Sequence, residues 1–323
     1  MKVLVVGGAG YIGSHMVKHL QENNHEVNVI DNFATGNNWA LKDCEIFEVD
    51  ICDEASINKF LKGKKFDGII HFAALSIVSE SMIKPEEYYR NNVSGSINLF
   101  NAMLKNGMNN LIFSSTASVY GIPKSKFISE THSTEPINTY GRTKLIVESI
   151  LRDYFYRKKL SSVSLRYFNA AGAHISSTIG EERKNETHLI PNIIYSIIDE
   201  SKKFKLFGND YDTPDGTCIR DYIHVSDLAS AHLKALEKIK NKPFCDVYNL
   251  GNGKGFSVLE IIDAIESVSG KKLQFEVHER RDGDPDHLVA DSSKAIKELL
   301  WKPKYHDIKS IVKTAWDWHI SRI

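Results

Sequence analysis

Tyr140 and Lys144 set a phenol and an ammonium four residues apart. The segment 140–159 that carries them has apolar residues at Val147, Ile150, Leu151 and Tyr154, the spacing of a buried helical stripe. Extended backward, the stripe reaches both residues, which then stand one above the other. A lysine turned inward needs partners for its charge, although one such lysine alone is ordinary because its stem can snorkel. A tyrosine, with its usual pKa near ~10, is a weak base at neutral pH, and a close ammonium favours the phenolate. The pair reads as a general base with its electrostatic partner. Ser114, Ser115 and Thr116 end an apolar run in hydroxyls. Thr116 is placed to hydrogen-bond a reacting hydroxyl; the alternative for all three is capping of the strand end.

A second constellation lies at the start of the chain. Gly7-Gly8-Ala9-Gly10-Tyr11-Ile12-Gly13 has the spacing G-x-x-G-x-x-G, preceded by a strand-like run at 3–6 and followed by a helical pattern. Such a turn lets a pyrophosphate approach backbone that any Cβ would shield, and the helix start offers free N–H groups and partial positive charge. Asp31 comes 18 residues after Gly13, close to the spacing of about 20 expected of a ribose-binding acid. An acid there repels a 2′-phosphate, which favours NAD over NADP. Asp50 is placed either to approach the adenine or to cap the helix ahead of Asp53. An oxidised nicotinamide would add a second positive charge near Tyr140. Lowering a phenol by about three pKa units takes roughly 4 kcal/mol of differential stabilisation, within reach of two close cations in a partly dry site.

The elements that position these groups follow from the hydropathy pattern. Six apolar runs, at 3–6, 27–30, 45–49, 68–72, 111–113 and 162–167, alternate with helical patterns. Among those patterns, Val93, Ile97, Phe100 and Leu104 share one face within 86–106, and Ile57, Phe60 and Leu61 follow Asp53. Strand and helix in alternation predict an α/β fold: a Rossmann-type doubly wound parallel sheet covered on both faces. After residue 168 the rhythm breaks, with polar turns at 208–216 and 251–255. One clean helix is expected there, from the capping box Ser257-Val258-Leu259-Glu260 to a stop at Gly270. The predicted organisation is a nucleotide-binding domain at 1–168 and a smaller mixed α/β substrate-binding domain at 169–323, with 217–245 returning to the first.

Composition narrows the partners. The 323 residues carry 41 Lys plus Arg and 41 Asp plus Glu, which provides no field for a polyanion and argues against nucleic acid. No stretch approaches the ~18 apolar residues of a membrane span, and the apolar run at 3–6 is too short for a signal peptide. The four cysteines, Cys44, Cys52, Cys218 and Cys245, include no C-x-x-C pair and read as free thiols in a cytoplasmic protein. His15 and His19 are four apart, but without an H-E-x-x-H pattern they read as packed or surface histidines, and no metal is expected.

The motifs resemble a known family. GGAGYIGSH (7–15), the run 114–120 and Tyr140-Gly-Arg-Thr-Lys144 are similar to the extended short-chain dehydrogenase/reductases. HFAALSIVSES (71–81), NNVSGS (91–96), RYFNAAGAH (166–174), LFGNDYDTPDGTCIRDYIHVSDLASAH (206–232), YNLGNGKGFSVLE (248–260) and RRDGDPD (280–286) narrow the likeness to the UDP-glucose 4-epimerase family, over essentially the whole chain. The resemblance implies Thr116, Tyr140 and Lys144 as catalytic residues. It implies an NAD site lined by Gly7, Gly10, Tyr11, Ile12, Gly13, Asp31, Asn32, Asp50, Ile51, Phe72, Ala73, Ala74, Asn91 or Asn92, Ser114 and Tyr167. The implied holders of a UDP-sugar are Asn169, Leu189, Arg220, Tyr222, Arg281 and Asp284, beside Thr116 and Tyr140. For Arg220 a salt bridge to Asp221 is the alternative, and for Arg281 a solvated charge.

The implied reaction interconverts UDP-galactose and UDP-glucose through a 4-keto sugar, with NAD retained and a homodimer as the assembly, formed through 86–106 and 140–159. A position shortly after RRDGDPD limits room at the sugar's 2-substituent in this family. Leu288 takes it, or His287 with a one-residue slip, and leucine is expected to admit some N-acetylated sugar. A 4,6-dehydratase needs a carboxylate pair after the strand-end threonine, where this chain has Ala117 and Ser118. The remaining alternatives are a 4-epimerase of another UDP-sugar and a non-catalytic NAD-binding protein.

Overall fold

The computed structural model describes every residue except 200, 241 and 282. The first half alternates as its hydropathy predicts. β1 (Lys2–Val6), α1 (Tyr11–Glu22), β2 (Glu26–Asp31), β3 (Glu45–Glu48), α2 (Glu54–Leu61) and β4 (Gly68–His71) come first. There follow α3 (Val78–Ile83), α4 (Pro85–Tyr88), a π-helical turn at Tyr89–Ser94, α5 (Gly95–Lys105), β5 (Asn110–Ser114), α6 (Thr139–Lys158) and β6 (Ser161–Tyr167). The pattern at 86–106 is thus not one helix: the π turn interrupts it, as such turns often do beside functional sites.

The second half holds β7 (Asn169–Ala171), α7 (Leu189–Ile198), β8 (Phe204–Phe207), β9 (Ile219–His224), α8 (Val225–Lys240) and β10 (Cys245–Leu250). It ends with β11 (Gly255–Ser257), α9 (Val258–Ser269), β12 (Phe275–His278), β13 (His287–Leu288), α10 (Ser293–Glu298) and α11 (Ile308–Ile320). The expected helix is α9, with the Ser257–Glu260 capping box formed and Gly270 left-handed at its end. The expectation of a single clean helix there is corrected, because α7, α8, α10 and α11 accompany it.

The main sheet has seven parallel strands in the order β10-β6-β5-β4-β1-β2-β3. Chain order reverses between β1 and β4, and the crevice at such a switch point is where open α/β sheets bind ligands. β1 shows why both faces are covered. Val3 and Val5 pack with Met16 and Leu20 of α1 and Leu228 and Leu236 of α8. Leu4 and Val6 face the other way, against Leu99 and Phe100 of α5 and Val147 and Leu151 of α6. Each side chain so buried contributes about 1.5–3 kcal/mol.

β10 is the seventh strand, pairing with β6 from Cys245↔Ser162 to Leu250↔Tyr167. A smaller sheet joins β11, β9 and β13, with β7 also on β9, and β12 pairs with β8. A separate core of α7, α9 and α11 packs there around Ile193, Ile194, Ile261, Ile265 and Ile311.

Candidate active site

The glycines of the first turn do different work. Gly7 has φ +81°, and a Cβ on it would lie 2.4 Å from the Ala73 nitrogen. A Cβ on Gly13 would lie 2.2 Å from the Gly7 carbonyl. Both glycines are required by the fold itself. Gly10 is not, since a Cβ there meets only the Gly7 oxygen, at 3.6 Å. Gly10 is the N-cap of α1, and no side chain caps that helix. Open space and uncapped N–H groups together make a cradle suited to a phosphate.

Asp31 ends β2 beside this cradle. Its two oxygens accept from the backbone N–H groups of Ala9 (2.9 Å) and Phe33 (2.8 Å). Burial raises its pKa, against those bonds. Asp50 accepts from Cys52 N–H at 2.7 Å and from Asn32 at 3.3 Å. The helix cap is Asp53, whose carboxylate takes Ala55 and Ser56 N–H, so the capping alternative for Asp50 does not hold. Ile51 is buried with the α2 and α5 residues, and Phe72, Ala73 and Ala74 continue from β4 half-buried.

The two asparagines separate in the π turn. Asn92 is buried, with its amide spent on both backbone groups of Leu75 and on Thr143. Asn91 is half-buried and donates to Asn92 at 2.9 Å. Tyr11 donates its hydroxyl to the Gly172 carbonyl at 2.6 Å, and Ile12 packs beneath the sheet.

Tyr140, Lys144 and Glu148 line one buried face of α6. The Lys144 ammonium donates to the Ser114 carbonyl at 2.8 Å and stands 5.9 Å from the Tyr140 ring centre. Burial draws Lys144 down to about 7, and the nearby Glu148 carboxylate opposes it. Burial pushes Tyr140 up to about 12, against the Thr116 hydroxyl and the Arg183 guanidinium. The expected lowering of this phenol is therefore absent from the protein alone, because desolvation outweighs the Arg183 cation and the Thr116 hydrogen bond. Thr116 is extended and buried, and also accepts from Ser118 N–H at 3.1 Å. Ser114 hydrogen-bonds Tyr167, whose pKa burial also raises.

The second half carries the remaining candidates. Asn169 donates to the Asp221 carbonyl at 3.0 Å, which joins β7 to β9. Arg220 pairs with Asp284, not with its neighbour Asp221. Asp221 is instead buried, accepting from the backbone of Asn252 (2.7 Å), Gly253 (3.0 Å) and Ala290 (3.1 Å). Arg281 lies over the Phe207 ring at 4.3 Å. Tyr222 is buried in the second core, and Leu189 opens α7 at its edge. Leu288 sits opposite Arg220 in the ladder and packs with the Ala117 and Phe168 group. Strand alternation sends His287 to the other face, so Leu288 is the residue turned toward Ala117.

Several functional candidates lie outside the sequence reading. Glu148 and Arg166 form a buried ion pair beside Lys144. Glu181 holds both Arg183 (2.9 Å) and His188 (2.8 Å), and with Glu186 and His188 its ligand atoms cluster within 4.8 Å. Glu148 has one usable signal, its place four residues after Lys144 on the stripe; the Glu181 group has none. His15 is buried, with Nδ1 on the Tyr11 carbonyl at 2.7 Å, and burial holds His15 and His19 below the usual histidine value.

Residues 3–251 match the family model described as the NAD dependent epimerase/dehydratase family. The chain is 46% identical over 322 residues to the UDP-glucose 4-epimerase of Lactobacillus helveticus, covering 99% of this chain and 98% of that one. The crystal structure of UDP-glucose 4-epimerase from Brucella ovis in complex with NAD superposes with a TM-score of 0.95 at 43% identity, over 98% and 97% of the two chains. The UDP-Glc/GlcNAc 4-epimerase of Campylobacter jejuni superposes with a TM-score of 0.85 at 43% identity, over 99% of each. With its glycine cradle, its Tyr140–Lys144 face and near full-length similarity to these enzymes, the chain belongs to the NAD dependent epimerase/dehydratase family and, within it, to the UDP-glucose 4-epimerases.

Proposed function

We propose that this protein interconverts UDP-galactose and UDP-glucose with NAD held throughout, with Tyr140 as the base and Lys144 as its electrostatic partner. The observation that carries the reading is the buried face of α6, where Tyr140 and Lys144 lie beside the strand end that bears Thr116. Gly10 supports the cofactor, because its space and its uncapped helix start fit a pyrophosphate that the fold does not itself require. Gly7 and Gly13 shape the turn. Asp31 and Asn32 face the adenosine ribose, Asp50 and Ile51 the adenine, and Phe72, Ala73, Ala74, Asn91 and Tyr167 line the remainder.

NAD, when bound, supplies a nicotinamide that accepts the hydride of sugar carbon 4 and gives it back. Tyr140 takes the proton of the 4-hydroxyl, directly or through Thr116, and returns it to the inverted oxygen. Lys144 stabilises the phenolate and orients the ribose next to it. Arg220 and Arg281, with planar forks matched to a pyrophosphate, hold the UDP with Asn169, Leu189, Tyr222 and Asp284. Binding energy on the UDP leaves the sugar free to turn. Leu288 bounds the space at the sugar's 2-substituent and supports an additional, slower reaction on the N-acetylated pair.

The same reading includes a homodimer through α5 and α6, supported by the outward Tyr156, 68% exposed on α6. It includes a cytoplasmic setting, supported by the four free cysteines. No helix among the described residues is long and apolar enough to cross a membrane. The test is conversion of UDP-galactose to UDP-glucose with no NAD added, with Tyr140→Phe beside the native protein. Conversion by the native protein alone is expected; no conversion even with NAD supplied overturns the reading.

A further inference from the structure

Glu148 is 3% exposed and Arg166 is 4% exposed. The carboxylate accepts from Arg166 Nε at 2.9 Å and Nη2 at 2.5 Å, and from the Ser115 hydroxyl at 2.5 Å. Arg166 also donates to the Tyr120 hydroxyl at 3.0 Å, which donates to Asn249 at 2.6 Å. These bonds tie the end of β5 to α6 and β6. Ser114 takes the Lys144 ammonium on its carbonyl and meets Tyr167 through its hydroxyl. Ser115 holds Glu148, one helical turn beyond Lys144. Arg166, next to Tyr167 on β6, holds Glu148 from the far side.

Burying an ion pair gains little stability over an apolar pair of the same size, so fold stability alone is a weak account of its presence. We infer that Glu148, clamped by Arg166, is a positioning residue for the proposed epimerisation: it fixes the strand end of Ser114, Ser115 and Thr116 in register with Tyr140 and Lys144 and keeps a negative charge behind the lysine. The inference rests on the proposed roles of Tyr140 and Lys144. The groups that face Lys144 support it. Tyr140 and Glu148 approach from its own helix, the Phe113 ring and Ser114 carbonyl from β5, and His71 from β4. Burial holds His71 neutral, with its value drawn down to about 3. Of these groups, Glu148 is the one whose charge opposes the desolvation of Lys144.

The test compares Glu148→Gln with the double variant Glu148→Gln/Arg166→Met, which leaves no buried guanidinium without its carboxylate. Wild type and variants are assayed with UDP-galactose for kcat, KM and the pH profile of kcat, and for bound NAD and thermal unfolding. Removing the carboxylate lowers the pH at which Lys144 loses its proton, so the alkaline limb of kcat moves toward acid. The expected shift is about one pH unit in the single variant, where Arg166 is also left facing the site, and less in the double. In both, kcat falls about tenfold or more with KM within about twofold, as loss of alignment predicts. A folded double variant with wild-type kcat and an unmoved limb overturns the inference, and so does a kcat loss with the limb unmoved in both variants. If the wild type fails to turn over UDP-galactose, the functional reading fails. The clamp is then judged by the alkaline limit of NAD retention, which needs no sugar: the same order of shifts upholds it and identical limits overturn it.

Discussion

The Lys144 ammonium is bonded to the Ser114 carbonyl at 2.8 Å, while the ring of Tyr140, one helical turn before it, is centred 5.9 Å away. The lysine is anchored to the strand end, not to the phenol, and burial leaves Tyr140 at about 12. The proposed base is therefore unready until a further cation is bound beside it. In cofactor-stripped protein, Tyr140 stays protonated through neutral and mildly alkaline pH. Ultraviolet difference titration against Tyr140→Phe checks this. Rebinding NAD is expected to bring a phenolate signal that Tyr140→Phe lacks, at lower pH by about two units or more. A phenolate already present near neutrality without NAD contradicts the argument. Lys144→Met should cost about 10²-fold or more in kcat.

The glycine turn yields a prediction with opposite signs at neighbouring positions. Gly10→Ala adds a methyl that meets only the Gly7 oxygen at 3.6 Å. With NAD stripped from both proteins, it should leave the melting temperature within a degree or so of native, while bound NAD in the proteins as purified, measured after acid release, falls severely. Gly7→Ala places its Cβ 2.4 Å from the Ala73 nitrogen at a left-handed φ and should destabilise the fold by about 2 kcal/mol or more. Equal melting temperatures for the two variants would show that the cradle is not divided in this way.

Much of the fold is legible in the sequence because hydropathy and spacing carry it. The six apolar runs are the strands β1 to β6, and Ser257 with Glu260 caps α9 as read. β10 escapes such a reading because Cys245 and Asp246 open it with polar character, and the Lys294 ammonium that satisfies Asp246 at 2.7 Å lies 48 residues away. α7 hides its period, being apolar nearly all round with Pro191 in its first turn. α8 buries Asp227 and His232, whose partners are the backbone of Lys304 and Tyr305 and the Leu228 carbonyl. The same reason explains Arg220, whose ion-pair partner is Asp284 rather than adjacent Asp221. Local pattern shows which side chains turn inward; it does not show which distant group meets them.

Asp221 makes a case for stability. It accepts three backbone N–H groups from two separate segments, and burial pushes its pKa up to about 6. A raised folded-state value means that this site favours folding most at pH below the unfolded carboxylate value. That contribution is lost as pH rises from about 4 through about 6. Asp221→Ala leaves the three donors without their acceptor and should cost about 3 kcal/mol or more in urea unfolding at neutral pH. It should also flatten the dependence on pH in that window. Loss of stability with an unchanged pH slope would assign the slope to other groups.

The last prediction concerns substrate range. Leu288 stands across the β13–β9 ladder from Arg220 and packs against Ala117, the residue after Thr116. In the proposed function, a sugar anchored by its UDP near Arg220 and reacting at Thr116 and Tyr140 has its ring in the intervening space. A larger side chain at 288 therefore encroaches on the substituents of that ring before it reaches the phosphates. Leu288→Tyr should lower kcat/KM for UDP-N-acetylgalactosamine by about 10²-fold while changing UDP-galactose turnover by less than about threefold, since an added ring in a packed pocket costs a few kcal/mol only where it overlaps the ligand. Paired assays on the two sugars read this directly. Equal losses on both would place Leu288 in the general packing of the Ala117 group, and no turnover of the N-acetylated sugar by the native protein would remove the extension proposed for it.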